Sequence, residues 1–280
     1  MFGRLHLYSR FIKVEHTLFS IPLLLGGAML AGGRLPDVRL CLLILAAGFG
    51  GRTVAFALNR LADRHIDALN PRTADRELPK GRMNVAEAWG VAVFGLVIYL
   101  AAASAIAPIC LYLSPIPVLV FAAYPLMKRF TWLAHFGVGA ADALAPLGGW
   151  IAVAKSFEGV GPGILLGLFT FFWVSGFDII YATMDEDFDR KQRLHSIPAR
   201  FGRARALQIS GALHAAAFAT LAALYALYLQ SPLALLMLIA VGGLLFLEHA
   251  KADDVHLAFF KINAVLGFVV WAFVAAGVKT

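Results

Sequence analysis

Charge is scarce in this sequence and cysteine almost missing. Only 15% of the 280 residues are Asp, Glu, Lys or Arg, and 60% are hydrophobic, whereas a soluble domain carries about 25% charged residues. With a mean hydropathy of +0.78, a water-soluble fold is excluded and an integral membrane protein is implied. The two cysteines, Cys41 and Cys110, sit inside apolar runs with no metal-ligand spacing. That excludes a disulfide framework or a thiolate metal centre and makes them packing residues. Also missing are segments of about ten residues alternating apolar with polar, which excludes an outer-membrane barrel. Residues 1–16 lack the look of a cleavable leader: they are amphipathic, with Arg4, Arg10 and Lys13, and are expected to form an interfacial helix.

What the chain has instead is long apolar runs. A membrane-crossing helix needs about 20 of these residues, and nine runs qualify, at 16–33, 38–60, 84–106, 109–125, 133–153, 162–183, 206–229, 232–248 and 260–278. The expected fold class is therefore an all-α membrane bundle of nine helices. The net charge of +7 could point to nucleic acid, but a basic excess on one side of the membrane predicts it equally well. Its distribution decides. Arg4, Arg10 and Lys13 precede the first run, and Arg60, Arg64, Arg72, Arg76, Lys80 and Arg82 follow the second. Lys128 and Arg129 follow the fourth, and Arg190, Lys191, Arg193, Arg200, Arg203 and Arg205 the sixth. Lys251 and Lys261 follow the eighth, and the other side has only Arg34, Arg39, Lys155 and Lys279. This places the N-terminus and the two richest loops in the cytoplasm and gives no reason to expect nucleic acid.

Two hydrophilic stretches interrupt the apolar chain. "NRLADRHIDALNPRTADRELPKG" closes the second run, and "DIIYATMDEDFDRKQRLHSIPARFG" closes the sixth. They lie about 120 residues apart, each after the second helix of a set of four, which suggests four plus four helices with a ninth appended. At about 100° per residue, Asn59, Asp63 and Asp67 fall within about 80° of one another, and Arg52 joins that face two turns earlier. In the second stretch Asp178, Tyr181, Asp185 and Asp189 lie at about 0°, −60°, −20° and +20°, with Asp187 opposite.

Two columns of carboxylates facing across a cavity repel each other unless cations intervene. Mg²⁺ suits such a place, since it takes one or two carboxylates plus phosphate oxygens, and Arg and Lys on the adjoining loops would balance a diphosphate. The bland reading, solvated loop charge, suffices for any single Asp but not for two matched columns.

These residues resemble the UbiA superfamily of intramembrane prenyltransferases. "NRLADRHID" is similar to its first aspartate-rich motif and "DIIYATMDEDFD" to its second, with Ser196 at the small-residue position downstream; "NPRTADRELPKGRM" and "YPLMKRFTW" also match. The resemblance covers essentially the whole chain. It implies one domain over 1–280, opened by the short amphipathic segment 1–15, and nine helices around a central cavity in a bacterial plasma membrane. It implies Mg²⁺-dependent ionisation of a polyprenyl diphosphate and transfer of the prenyl group to an aromatic acceptor. Arg60 departs from the motif, where Asp usually follows the Asn; about 100° away from Asn59, it need not enter a metal shell, and the metal count is left open.

Resemblance and spacing together assign Asp63, Asp67, Asp185 and Asp189 to Mg²⁺, with Asn59 and Asp178 assisting. Arg64, Arg72, Lys128 and Arg129 are expected on the diphosphate, and Tyr181 beside the allylic cation, through its ring or by orienting an oxygen. The prenyl tail stays in membrane lipid. The acceptors of the family range from 4-hydroxybenzoate, on the ubiquinone path, to dihydroxynaphthoates on menaquinone paths, homogentisate and protohaem. "VEHTLFSIP", "KRFTWLAHF" and "FDIIYATMDEDFD" look most like the 4-hydroxybenzoate branch or its menaquinone-path relatives. Arg52 or Lys13 could meet an acceptor carboxylate.

Asp142 lies deep in the fifth run, two turns from His135, where a carboxylate is a functional candidate by default or else a packing residue. Lys13, Glu15 and His16 open the first run and serve the cavity or snorkel to headgroups. His65 and His195 are read as loop residues, and Pro198 as a breaker before the seventh helix. A cation transporter is the alternative of another class, although its sites lie near the midplane, whereas these acidic columns lie at helix ends.

Overall fold

The computed structural model describes residues 2–13, 17–255 and 261–278; Glu15 and His16 lie outside them. A short helix α1 (Phe2–Phe11) precedes α2 (Thr17–Gly32), α3 (Val38–Leu69) and α4 (Val85–Ile106). The fourth run is divided into α5 (Pro108–Leu113) and α6 (Pro115–Met127), since Pro115 brings no N–H to the ladder. Then come α7 (Ala134–Ala154), α8 (Gly161–Ala182), the short α9 (Glu186–Lys191) and α10 (Ile197–Phe201), α11 (Arg203–Tyr228), α12 (Pro232–Ala250) and α13 (Asn263–Gly277). There is no strand among the described residues.

Seven of the helical spans are long and apolar enough to cross a membrane, and two apolar helices, 20–32 and 263–277, are shorter. Side chains such as Leu42, Phe94, Leu119, Ile239 and Phe246 are more than half exposed, an apolar surface that only a bilayer would cover. The chain is an integral membrane protein.

Local chemistry sets the helix ends. Asp37 caps α3 by accepting from the Leu40 N–H, and Asn84 and Glu87 form a reciprocal capping box on α4. Ser231, followed by Pro232, starts α12. Two glycines are demanded by packing: a Cβ on Gly27 would run into the backbone of Pro146, and one on Gly149 into the backbone of Leu24 and Ala28. They let α2 and α7 touch along their backbones, the small-residue contact on which helix association in lipid depends.

The largest core cluster joins α8 to α11, α12 and α13 through Phe169, Trp173, Leu221, Val241, Leu266 and Phe273. A polar chain runs through it: Trp173 Nε1 donates to Asn263 Oδ1 at 2.8 Å, and Asn263 Nδ2 donates to Glu248 Oε1 at 3.0 Å. In hydrocarbon such groups must find one another, because water cannot satisfy them.

At 32 residues, α3 is about 48 Å long at 1.5 Å per residue, against about 30 Å of hydrocarbon. It is thus longer than the hydrocarbon is thick, and Asp63 and Asp67 lie in its charged last third. The second acidic stretch does not continue α8 as one helix. The chain tightens into a 3₁₀ turn at Thr183–Asp185 before α9, so the helical-wheel angles of Asp185 and Asp189 do not carry over. Pro198 also departs from its expected role: it sits in the first turn of α10, which Ser196 caps, and so starts a helix.

Candidate active site

Two cavities meet inside the bundle. The larger, about 600 Å³, is walled by apolar side chains from α2 to α8, and includes Lys13, Arg52, Arg60 and Asp142. The smaller, about 230 Å³, is lined by Asp63, Asp67, Asp185 and Asp189 with Asn70, Arg72, Arg76 and Lys128. Asn59, Arg76, Tyr124, Val138, Asp178 and Tyr181 line both. A polar pocket with both charge signs thus opens onto an apolar chamber near the C-terminal ends of α3 and α8.

Each carboxylate column meets its own cations. Lys128 Nζ lies 2.6 Å from Asp63 Oδ2, and Arg76 donates from one nitrogen to both oxygens of Asp67 at 2.7 Å. Arg72 reaches across to the other column. Its Nε donates to Asp185 Oδ1 at 2.9 Å, a second nitrogen donates to Oδ2 and the third to the Tyr181 hydroxyl. Its guanidinium also stands 4.8 Å from the centre of the Tyr181 ring. Burial would draw the Arg72 pKa down, but the hydrogen bonds and charge of Asp185 and Tyr181 outweigh it and hold the group above its ordinary value, so Arg72 is a permanent cation. Asn70 Nδ2 donates to Asp185 Oδ1 at 2.8 Å and its side-chain oxygen accepts from the Arg72 N–H at 3.0 Å, fixing the loop after α3.

His135 anchors the far wall. The Ile197 N–H donates to His135 Nε2 at 3.3 Å, so the ring proton is on Nδ1, which donates to Asp178 Oδ2 at 2.7 Å. Ser196 lines the polar pocket with Asp189, and the His195 N–H donates to the Lys128 carbonyl at 2.7 Å, tying the second polar stretch to the end of α6.

The structure thus brings together Asn59, Asp63, Asp67, Arg72, Lys128, Asp178, Tyr181, Asp185 and Asp189, as expected from the sequence. Two expected members stay outside both cavities. Arg64 turns back to the Leu61 carbonyl of its own helix at 2.8 Å, and Arg129 donates to the carbonyls of Pro125 and Ala62, with Asp63 Oδ1 3.5 Å away. Arg129 thus braces the end of α6 against α3, while Arg64 is taken up by its own helix. Arg52 lies deeper than its face suggested, 3.0 Å from Asp142 Oδ1. Asp187 and His65 are exposed, and His195 lines the polar pocket. Arg60 lines the larger cavity only, with one buried terminal nitrogen lacking a partner.

Arg76 and Asn70 are members that sequence reasoning missed. Both belong to "NPRTADRELP", and the four-residue step from Arg72 to Arg76 was the available signal.

No three His, Cys, Asp or Glu side chains among the described residues converge as a ready metal cage, because Arg72, Arg76 and Lys128 act as internal counter-ions. The donors nonetheless fit a hard divalent ion: four carboxylates share one pocket, and Asp63 Oδ1 is buried without a hydrogen bond. A buried carboxylate oxygen without a hydrogen bond, its nearest cation Arg129 at 3.5 Å, suits an oxygen-seeking cation beside other carboxylates.

Comparison with known proteins agrees. Residues 19–265 match the UbiA prenyltransferase family. The chain is 30% identical over 200 residues to the 4-hydroxybenzoate octaprenyltransferase of Vibrio cholerae, covering 70% of this chain and 69% of that one. The apo structure of a UbiA homologue from Aeropyrum pernix K1 superposes with a TM-score of 0.82 at 34% identity, over 94% of this chain and 96% of that one. A UbiA homologue from Archaeoglobus fulgidus bound to DMAPP and Mg²⁺ shares the fold, with a TM-score of 0.73 at 22% identity over 97% and 99% of the two chains. The chain belongs to the UbiA prenyltransferase family.

Proposed function

We propose that this protein transfers a polyprenyl group from polyprenyl diphosphate to 4-hydroxybenzoate, a step of ubiquinone biosynthesis, with Mg²⁺ held by Asp63, Asp67, Asp185 and Asp189. The observation that carries the reading is the junction of the two cavities at Asn59, Asp178 and Tyr181. A diphosphate fits the charged pocket, while a prenyl chain and an aromatic ring fit the apolar one. The two shorter helices complete nine crossings, four plus four plus one, in one domain spanning 1–280. The charged pocket faces the cytoplasm of a bacterial inner membrane, following the basic loops.

A bound divalent ion supplies positive charge to the leaving diphosphate. The residues of the chain do the rest. Arg72, Arg76 and Lys128 turn from their carboxylates to phosphate oxygens, and each N–H then stabilises the negative charge that develops as the C1–O bond breaks and its electron pair leaves with diphosphate. One face of Tyr181 is engaged by Arg72, so its part with the allylic cation falls to the face turned to the chamber. The apolar wall keeps water from the cation. Arg52 lies seven residues before Asn59, about 10 Å along the helix, far enough for an aryl ring to bridge from its own polar end to the prenyl C1. Once the ring carbon has bonded to C1, the ring proton leaves to a carboxylate or to the released diphosphate.

The test is purified protein in detergent with Mg²⁺, a radiolabelled polyprenyl diphosphate and 4-hydroxybenzoate, following label into the aromatic product. Label in the product upholds the reading. Diphosphate bound but no label transferred would reject 4-hydroxybenzoate as the acceptor.

A further inference from the structure

The larger cavity contains one polar cluster deep between helices. Ser20 on α2, Arg52 on α3 and Asp142 on α7 all line it. Ser20 Oγ donates to Asp142 Oδ1 at 2.9 Å, and Arg52 donates through one terminal nitrogen to the same oxygen at 3.0 Å and also to Ser20. Both bonds to Asp142 end on Oδ1, which leaves Oδ2 to the cavity, with a quarter of the side chain exposed. Arg52 is not saturated either: its bonds to Asp142 and Ser20 all come from one terminal nitrogen, and 18% of its side chain is open. The subsite is therefore an ion pair with one acceptor oxygen and guanidinium donors to offer.

Net charge decides what such a pair accepts. Ser20 from α2 and Arg52 from α3 bond Asp142; Tyr124 from α6, Asp178 from α8 and Lys13 line the same cavity, and Asp63, held by Lys128, acts on Tyr124 as Asp142 and Asp178 do. Asp178 is bonded to His135, and Arg52 is already balanced by Asp142. A bare carboxylate placed on Arg52 would set its charge against Asp142 Oδ2 in a low-dielectric chamber, where repulsion is strong. A group that gives one hydrogen bond and receives one meets no such conflict.

We propose that Asp142 is a specificity-determining residue of the acceptor subsite, which takes a neutral carboxyl or its isostere, donor toward Asp142 and carbonyl toward Arg52, rather than a bare carboxylate. This rests on the proposal that an aryl acceptor occupies the cavity. Binding an aryl carboxylic acid then takes up one proton, held between the ligand carboxyl and Asp142, and the single negative charge that remains is matched by Arg52. Only hydrogen bonds and this proton change; no covalent bond is made.

The experiment is equilibrium binding of radiolabelled 4-hydroxybenzoate and 4-hydroxybenzamide to the full-length protein in detergent, without diphosphate, from about pH 6 to about pH 8, well above the ordinary carboxyl range. The Kd of the acid is expected to rise about tenfold per pH unit, while that of the amide, which never ionises in this range, stays flat. Asp142→Asn turns the open acceptor into a donor, and is expected to flatten the acid curve and tighten its binding at the alkaline end. A flat acid curve in the wild type with no binding of the amide overturns the proposal, whether or not the variant folds. So does failure of both ligands to bind. Proton-linked binding in a protein that transfers no prenyl group would sink the proposed function and keep the subsite; transfer to 4-hydroxybenzoate with pH-independent binding would do the reverse.

Discussion

Lys128 Nζ lies 2.6 Å from Asp63 Oδ2, joining the end of α6 to the last third of α3, while Asp63 Oδ1 has no hydrogen bond and only Arg129, 3.5 Å away, beside it. The lysine thus has two duties: counter-ion to a buried carboxylate when the pocket is empty, and ligand of phosphate when it is filled.

Lys128→Met separates these duties by magnitude. Stripping a buried ion of its partner costs about 3–5 kcal/mol, but 28% of the Lys128 side chain is open to solvent, and solvent screening reduces the expected loss to about 1–3 kcal/mol. Loss of one positive group aimed at the leaving diphosphate is expected to lower kcat about 10²–10³-fold. Thermal unfolding in detergent and steady-state kinetics read the two effects separately; an unchanged kcat would remove Lys128 from the reaction.

Arg72→Lys keeps the charge and removes the fork. Arg72 serves Asp185 with two nitrogens and Tyr181 with the third, a planar geometry that an ammonium lacks. Turnover is expected to fall at least tenfold with little change in melting temperature, since about a third of the Arg72 side chain is exposed. Wild-type kinetics in Arg72→Lys would show that charge alone suffices.

His135→Phe fills the same space but leaves the Ile197 N–H and Asp178 without their partner. The orphaned, buried Ile197 N–H costs about 1–3 kcal/mol, whereas Asp178 keeps contact with solvent, so a loss of that order in stability is expected, together with a weaker hold on the α10 loop. Hydrogen exchange at the Ile197 amide checks this directly: protection equal to the wild type would mean the 3.3 Å contact contributes nothing.

Gly149→Ala tests the contact that carries the acceptor subsite. The new methyl would meet the backbone of Leu24 and Ala28, where no side-chain rotation relieves it, and overpacking costs about 1–3 kcal/mol. Since α2 brings Ser20 and α7 brings Asp142, binding of an aryl ligand is expected to weaken along with stability. An alanine variant as stable and as tightly binding as the wild type would show that the two helices separate freely.

Much of this was legible in the sequence because hydropathy fixes helix positions to within a few residues. The run read as 84–106 is the helix Val85–Ile106, and that read as 133–153 is Ala134–Ala154. The second run was underestimated, at 38–60 against Val38–Leu69, since hydropathy stops where charge begins and the helix does not. The first carboxylate column was visible as spacing on α3; of the second only the local density of Asp was visible, since the turn at Thr183–Asp185 breaks the helix that the spacing assumed. Partners were not: Arg52 meets Asp142 from 90 positions away, and Arg76 folds back on Asp67 through a loop whose turns have no periodic signature. Arg64 was read as a loop residue because the second run was ended at 60; it lies within α3 and turns to the Leu61 carbonyl of that helix.

Replacing Asp63 and Asp185 singly by Ala, in protein shown to be folded by size and melting temperature, measures the central claim most directly. Mg²⁺-dependent label transfer from polyprenyl diphosphate is expected to fall at least a thousandfold in each variant, since one carboxylate of the ion-binding set is lost in each and the pocket supplies several kcal/mol of charge stabilisation. Full activity in either variant would contradict the account, because the diphosphate would then ionise without the pocket that these two residues build.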